Sequence, residues 1–167
     1  MALNPYQHFV GGRDPRAVIA ETAGKLTDAV QKIGPTGLEM HPAPGKWSPR
    51  EVLCHLADTE LAFGFRLRQT LAEPHHIVQP FDQDLWAKPY AAIPAQAALE
   101  TFAALRAWNL ILLGTVSPEA YAKPVSHPER GAMTFGTLVE TMAGHDTNHL
   151  VQLEALAKPS AERHAAG

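Results

Sequence analysis

The sequence contains a single cysteine, Cys54, among its 167 residues. One cysteine excludes an intramolecular disulfide framework and suits a reducing compartment, so we expect a cytoplasmic protein. The N-terminal residues lack a charged segment followed by an apolar run, and no segment approaches the roughly 20 apolar residues of a membrane span. The sequence therefore predicts neither secretion nor membrane insertion.

Positive charge is also sparse, with 14 Lys and Arg against 17 Asp and Glu and a formal net charge of -3. The basic residues are scattered and form no stripe that would follow a phosphate backbone. Nucleic acid is therefore not an expected partner, and a small-molecule substrate is. Hydrophobic residues make up 46% of the chain, which is enough for one domain over residues 1–167 with its own core.

Apolar residues recur at helical spacing in four segments, and no alternating strand pattern appears. The predicted helices cover residues 15–33, 48–71, 94–113 and 134–157. Two links between them, residues 72–93 and 115–133, are interrupted by prolines. Because links of about twenty residues can cross a bundle, the pattern predicts an all-α four-helix bundle with two long crossover connections.

Three histidines lie in these predicted helices at a spacing that suits metal ligands. His145 and His149 are four residues apart in the last helix, so their rings lie on one face about one turn apart. His55 lies in the second helix, which begins with a capping box formed by Ser48 and Glu51. A first-row metal held by imidazoles normally takes three or four protein ligands, so His55 is the best candidate for the third. The sequence predicts a divalent transition metal on these three residues, with Zn placed first and Ni or Fe as alternatives.

Five short runs, in this order and spacing, make the chain resemble the DinB-like (DinB/YfiT) superfamily. The runs are PGKWSPREV (44–52), HLAD (55–58), FDQDLWA (81–87), HPERG (127–131) and AGHDTNH (143–149). The resemblance implies a four-helix bundle of unusual topology, often a homodimer, with a divalent metal bound by His55, His145 and His149. It also implies thiol chemistry, because the better characterised members are S-transferases and isomerases that use bacillithiol, mycothiol or glutathione.

A three-histidine set leaves at least one coordination position open, which is typical of a catalytic metal site. Such an ion would bind a thiol cosubstrate for transfer to an electrophile, which the resemblance favours, or would activate water for hydrolysis. A third hypothesis is a non-catalytic metal-binding bundle that acts in a stress response or binds a partner.

Four polar side chains are candidates for the outer hydrogen bonds that metal-bound imidazoles usually donate: Asp58, Asp146, Asn148 and Gln152. For Asp58 an outer bond and a solvated position are equally expected. For Asp146 we expect a solvated helix face, because it lies roughly 100° from His145 around the helix.

Three further residues have a structural and a functional interpretation. Cys54 is expected to be a small buried filler rather than a nucleophile. His127 is expected to brace its loop rather than to reach the metal site. Arg66 either forms an ion pair within the bundle, which is the commoner case, or contacts an anionic substrate.

Overall fold

Four long helices carry the fold in the computed structural model, which describes residues 3–157. The helices are α1 (Gln7–Val10), α2 (Pro15–Leu38), α3 (Pro49–Ala72), α4 (Gln83–Trp86), α5 (Ala95–Thr115) and α6 (Phe135–Ala157). The strands are β1 (His76–Ile77), β2 (Pro124–His127) and β3 (Gly131–Thr134). The four predicted helices correspond to α2, α3, α5 and α6. The predicted domain of residues 1–167 extends beyond the described residues at both ends.

The bundle helices begin where the sequence supplies caps. Asp14 accepts a 3.0 Å hydrogen bond from the backbone N–H of Arg16 at the start of α2. At the start of α3 the backbone N–H of Ser48 donates to the Glu51 carboxylate at 2.8 Å, and the Glu51 N–H donates to the Ser48 hydroxyl at 3.3 Å. This is the predicted capping box, and it fixes where the helix that carries His55 begins.

Helix α2 is interrupted at the predicted position. Gly34 has φ 71° and ψ 167°, a conformation that side chains other than glycine rarely adopt. The chain nevertheless continues in a helical turn from Pro35 to Leu38, beyond the predicted end of this helix at residue 33. Proline suits this place because it occupies the first turn of the new segment.

Of the three pairs of consecutive bundle helices, only α3 and α5 are main neighbours. Helix α2 packs chiefly against α6 and α5, and α3 packs chiefly against α5 and α6, whereas α2 and α3 contact each other little. A simple up-and-down bundle would place consecutive helices side by side. The links after α2 and α5 therefore connect helices that are not neighbours, whereas the link after α3 connects the neighbours α3 and α5. The predicted crossing after α5 is present, and the other one follows α2 rather than α3. This topology brings α3 and α6 together around the histidines.

A small sheet corrects the expectation that the chain has no strands. Strand β2 pairs in parallel with β1 and antiparallel with β3, giving the order β1-β2-β3. The strands are two to four residues long and lie in the proline-rich links, so a search for alternating apolar residues over four to eight positions does not find them. The sheet places the β2–β3 hairpin beside the face of α3 that carries His55 and Arg66.

A buried arginine ties the four bundle helices together. Arg106 of α5 donates to Glu60 of α3 at 3.0 and 2.6 Å, to Asp146 of α6 at 2.7 Å and to the Ile19 carbonyl of α2 at 2.8 Å. Asn109 adds a 2.8 Å hydrogen bond to Glu60. Only 1% of the Arg106 and Glu60 side chains is exposed. Burial of these charges is tolerable because every one of them is paired.

Among the described helices, only α5 has the length and composition of a membrane span. By length and composition, Ala95–Thr115 comes closer to a span than the sequence expectation allowed. Core helices pass the same test of length and composition. Arg106 and Asn109 lie on α5 and bond to α3 within the bundle, so α5 acts here as a bundle helix.

Candidate metal centre

The structure brings the three predicted histidines together from two helices. The ring centroids of His145 and His149 on α6 are 4.6 Å apart, and His55 of α3 lies 5.1 and 5.0 Å from them. One nitrogen from each ring lies within 4.8 Å of the other two. The side chains are buried, with 3%, 6% and 9% of His55, His145 and His149 exposed. Three imidazoles thus converge in the bundle interior.

The spacing of the nitrogens suits a shared ion. The Nε2 atoms of His55 and His145 are 3.0 Å apart. Two imidazole nitrogens that bind one tetrahedral ion at a Zn–N distance of about 2.0–2.1 Å are roughly 3.3 Å apart. Without an ion one Nε2 has to donate to the other, and the Nδ1 atoms of both rings are buried without a hydrogen-bond partner. The donor set therefore fits a divalent metal, and the geometry favours no particular metal among those that imidazole binds.

The third histidine has the outer hydrogen bond that a metal ligand usually has. Nδ1 of His149 lies 3.0 Å from Oε1 of Gln152, one turn further along α6. Because an amide oxygen only accepts, Nδ1 carries the proton and the lone pair remains on Nε2. Gln152 was one of the four predicted outer partners. Asn148, another of the four, forms no such contact among the described residues.

Burial keeps His55 and His149 uncharged. Desolvation, followed by repulsion from His145 and His149, lowers the pKa of His55 to about 2. Desolvation and repulsion from His145 also lower the pKa of His149, to about 4, against the opposing effect of its hydrogen bond to Gln152. Metal binding requires neutral imidazole. Both of these side chains are therefore in the ligating form at neutral pH.

Asp146 corrects the expectation of a solvated position. Only 2% of the residue is exposed, and its carboxylate bonds to Arg106. Burial raises the pKa of Asp146, but the guanidinium of Arg106 and the neighbouring imidazole of His145 together lower it by more, so the pKa lies below its usual value. Its other oxygen lies 3.8 Å from Nδ1 of His145, which is beyond hydrogen-bond distance. The charged cluster around Arg106 therefore begins next to the histidines.

Asp58 and Cys54 take structural positions near the centre. Asp58 accepts a 2.7 Å hydrogen bond from the hydroxyl of Tyr90 and has no contact with the histidines among the bonds of the described residues. Burial and this bond raise the pKa of Tyr90. Cys54 is buried, and desolvation raises the pKa of its thiol to about 11. The thiol is uncharged at neutral pH, in agreement with the predicted filler role.

A cavity of about 210 Å³ opens on one side of the histidines. Its wall is apolar and polar in about equal parts, and the polar lining residues include His55, His145, Thr59, Arg66, His127 and Arg130. Phe63 lies between the two ends, with its ring 6.2 Å from the ring of His145 and 5.8 Å from the Arg66 guanidinium. An open, partly apolar cavity beside three ligands is the arrangement of a substrate site.

His127 and Arg66 both reach this cavity, contrary to the preferred sequence expectations. His127 lies at the end of β2, and its Nδ1 accepts a 3.2 Å hydrogen bond from the backbone N–H of Glu129, so it also braces the hairpin. Desolvation and the positive charges of Arg130 and Arg66 lower its pKa. Arg66 has no carboxylate within 4.0 Å among the described residues, so the expected ion pair is not formed.

Sequence reasoning missed the cover of the site. The Tyr6 ring meets the ring of His145 edge-on at 5.4 Å, and Tyr6 lines the cavity. The backbone of Tyr6 comes so close to Gly144 that a Cβ there would lie 2.7 Å from the Cβ of Tyr6. The glycine immediately before His145 was the available signal, because glycine often marks the close approach of another segment.

The chain is similar to known proteins in sequence and in fold. Residues 19–153 match the DinB superfamily. A protein of Oceanobacillus iheyensis named "Putative metal-dependent hydrolase" is 30% identical over 115 residues, covering 68% of this chain and 67% of its own length. A protein of the same name from Bacillus cereus is 24% identical over 141 residues, covering 84% and 82%. The structure of YfiT from Bacillus subtilis, described as "a probable metal-dependent hydrolase with an unusual four-helix bundle topology", superposes with a TM-score of 0.79 at 23% identity, covering 85% of this chain and 83% of that one.

Proposed function

Because the chain belongs to the DinB superfamily, we propose that it is a metal-dependent enzyme that transfers a low-molecular-weight thiol to an electrophile. The observation that carries the proposal is the convergence of His55, His145 and His149 beside an open cavity. The expected thiol is of the bacillithiol, mycothiol or glutathione type.

The charge of the histidine set supports an anionic ligand. His55 and His149 are neutral, so they leave the charge of a divalent ion uncompensated. When bound, such an ion would act as a Lewis acid and lower the pKa of a thiol or water in its open position. The apolar ring of Phe63 and the ring of Tyr6 flank that side of the histidines and limit access of water.

The lining of the cavity favours a thiol over water as the nucleophile. Glu129 is its one carboxylate among the described residues, and that side chain is exposed at the mouth. Many zinc hydrolases place a glutamate beside the metal as general base. A thiol has a pKa of only about 8.5, so it can lose its proton to solvent on binding a metal ion and needs no such base.

Hydrolysis is the second candidate, since the relatives from Oceanobacillus iheyensis and Bacillus cereus are named as metal-dependent hydrolases. Carboxylate bases are not obligatory for water activation, because a His₃ zinc site alone lowers the pKa of bound water to about 7. The same three ligands would serve either reaction.

A paired assay separates the candidates. Protein loaded with Zn, Ni or Fe is given a panel of thiols with 1-chloro-2,4-dinitrobenzene or monochlorobimane, and separately p-nitrophenyl esters without thiol. Thiol-dependent conjugation that is lost in His55→Ala, His145→Ala and His149→Ala but kept in His75→Ala supports the transferase. His75 is an exposed histidine outside the cluster.

Ester turnover without thiol, rising with pH, would instead favour the hydrolase. Conjugation that persists in any of the three cluster variants would refute a role for the centre. If metal-loaded protein consumes neither kind of substrate, the enzyme proposal is wrong and a non-catalytic metal-binding bundle is the better description.

A further inference from the structure

Two arginines line the cavity on the side away from the metal ligands. Arg66 projects from α3, and Arg130 lies in the turn of the β2–β3 hairpin, where its backbone N–H donates to the carbonyl of His127 at 3.2 Å. Both side chains are half-buried. No carboxylate lies within 4.0 Å of either guanidinium among the residues the structure describes. Two partly desolvated cations thus share one cavity, and neither is paired with a carboxylate among the described residues.

Arg66 is held in place by neutral groups. One N–H donates to the Gln79 carbonyl at 3.1 Å. The guanidinium carbon lies 5.8 Å from the ring centroid of Phe63 and 5.5 Å from that of Phe81. A guanidinium has five N–H donors in a planar fork, so most of them remain for a ligand. These contacts orient the side chain but leave its charge uncompensated.

The two arginines are close enough to repel each other. Burial, followed by the charge of Arg130, lowers the pKa of Arg66. The same two charges lower the pKa of His127, which lies between their elements at the end of β2. Glu129 is the neighbouring acid, but it is exposed and its carboxylate pairs with neither arginine. An anion placed between the guanidinium groups would relieve this repulsion.

We propose that Arg66 and Arg130 form an anion-binding subsite that holds a carboxylate or phosphate-type group of a small substrate while its reacting end lies at the histidines. The position of the reacting end rests on the proposed function, whereas the anion subsite itself does not. Fork-shaped guanidinium groups recognise such oxyanions with two parallel hydrogen bonds. His127 adds a third donor, since its Nδ1 accepts from Glu129 and its proton is therefore on Nε2.

The cavity volume limits the size of this substrate. About 210 Å³ is less than the roughly 300–1,000 Å³ of sites for drug-sized ligands. The ring of Phe63 lies near both Arg66 and His145. A short aliphatic spacer between the anion and the reacting atom would pack on this ring. The substrate class is therefore a small organic acid or phosphate-type ester rather than a long or neutral molecule.

The subsite is tested first without metal, so that the result does not depend on catalysis. Inorganic phosphate is titrated into chelator-treated protein near neutral pH by calorimetry, where His55 and His149 carry no charge. We expect binding to weaken about tenfold or more in Arg130→Gln and Arg66→Gln. Arg66→Lys keeps the charge and is expected to lose less. The control is Arg16→Gln, an exposed arginine on α2.

Phosphate that fails to bind the wild type, or that binds all variants as tightly as the wild type, would overturn the subsite. Circular dichroism and thermal melting of each variant show whether a loss reflects unfolding. Arg130 lies on the hairpin and Arg66 on α3. If both variants keep their fold and both lose phosphate binding, a local distortion of one element would not explain the result.

A second titration identifies which reactant carries the anion. Protein loaded with Co²⁺ is titrated with 3-mercaptopropionate and with its neutral counterpart 3-mercapto-1-propanol. Tighter binding of the acid, by about tenfold and only with both arginines present, assigns the anion to the thiol. Equal binding of the two thiols, together with arginine-dependent phosphate binding, assigns it to the electrophile. If neither thiol binds, the transferase function is contradicted. The phosphate titration then tests the anion subsite by itself.

Discussion

Oε1 of Gln152 lies 3.0 Å from Nδ1 of His149 and fixes the tautomer of that imidazole. Loss of such outer hydrogen bonds typically costs 10–100-fold in metal affinity. We therefore expect Gln152→Leu to bind Zn²⁺ about 10–100-fold more weakly without loss of fold, as measured by competition with a chelating dye. Glu154→Gln on the same helix is exposed and serves as the control. Equal affinity in Gln152→Leu and wild type would show that the amide does not orient the ring.

Metal content depends on the whole histidine set. The three nitrogens lie within 4.8 Å of one another, so removal of one ligand leaves too few for tight binding. Plasma mass spectrometry of untagged protein purified without chelator is expected to find about one transition-metal ion per chain in the wild type. We expect His55→Ala, His145→Ala and His149→Ala to lose it and the exposed His8→Ala to keep it. A folded wild type that takes up no Zn, Ni or Fe would contradict the site.

Arg106 is expected to be the most costly single substitution in the bundle. Arg106→Met leaves the carboxylates of Glu60 and Asp146 buried without a cation, a change that typically costs about 3–5 kcal/mol. Urea unfolding should show this loss, and adding Glu60→Gln and Asp146→Asn should restore part of the stability. Arg16→Met on the surface of α2 should change little. A single variant as stable as the wild type would mean that the buried cluster contributes no net stability.

The metal-free protein should lose stability as the pH falls below about 6.5, the ordinary pKa of histidine. In the unfolded chain His55 and His149 take up protons near that pH. In the folded protein burial lowers their pKa to about 2 and about 4, so they stay neutral. As the pH is lowered, the free energy of unfolding therefore decreases by up to about 1.4 kcal/mol per pH unit for each group. The decrease due to His149 ends near pH 4, and the decrease due to His55 continues to lower pH.

Urea titrations of chelator-treated protein at about pH 7.5 and about pH 5 measure this difference. The pH dependence should be smaller in His149→Asn than in the wild type and unchanged in His8→Asn, since His8 is exposed. A variant without His149 that keeps the full pH dependence would place its origin in other groups.

Gly144 should not tolerate a side chain, because its backbone is in contact with Tyr6. Gly144→Ala is expected to displace the segment around α1 and to uncover the cavity. Hydrogen exchange of residues 6–10 measures the displacement. Gly24→Ala on α2 is the matched control: no atom lies within 4 Å of its added Cβ, so it should stabilise the helix by about 0.5–1 kcal/mol. Unchanged exchange in Gly144→Ala would show that the segment adapts.

Local sequence patterns predicted the parts of this fold that depend on neighbouring residues. The capping box at Ser48 and Glu51 placed the start of α3, and the spacing of His145 and His149 placed two rings on one face of α6. The contact between His149 and Gln152 is likewise within one helical turn. Such features depend on residues three or four positions apart, which a single sequence displays.

The features that sequence did not predict depend on distant partners. Asp146 is buried because Arg106, 40 residues away, pairs with it, and no local pattern indicates that pair. Strand β2 forms by pairing with β1, about 50 residues earlier, although neither is long enough to show a period. Arg66 and Arg130 meet at one cavity for the same reason. Their charges come from segments that only the bundle topology brings together.

His55 and His145 are 90 residues apart in the chain, yet their Nε2 atoms are 3.0 Å apart. An unfolded chain rarely holds such a pair together, so the centre exists only after α3 and α6 have docked. An ion that binds the folded chain alone therefore stabilises it by mass action, by about 2.7 kcal/mol when its free concentration is 100 times the Kd. The amount of folded protein in the cell would then follow the supply of metal, and scarcity would expose the chain to proteolysis.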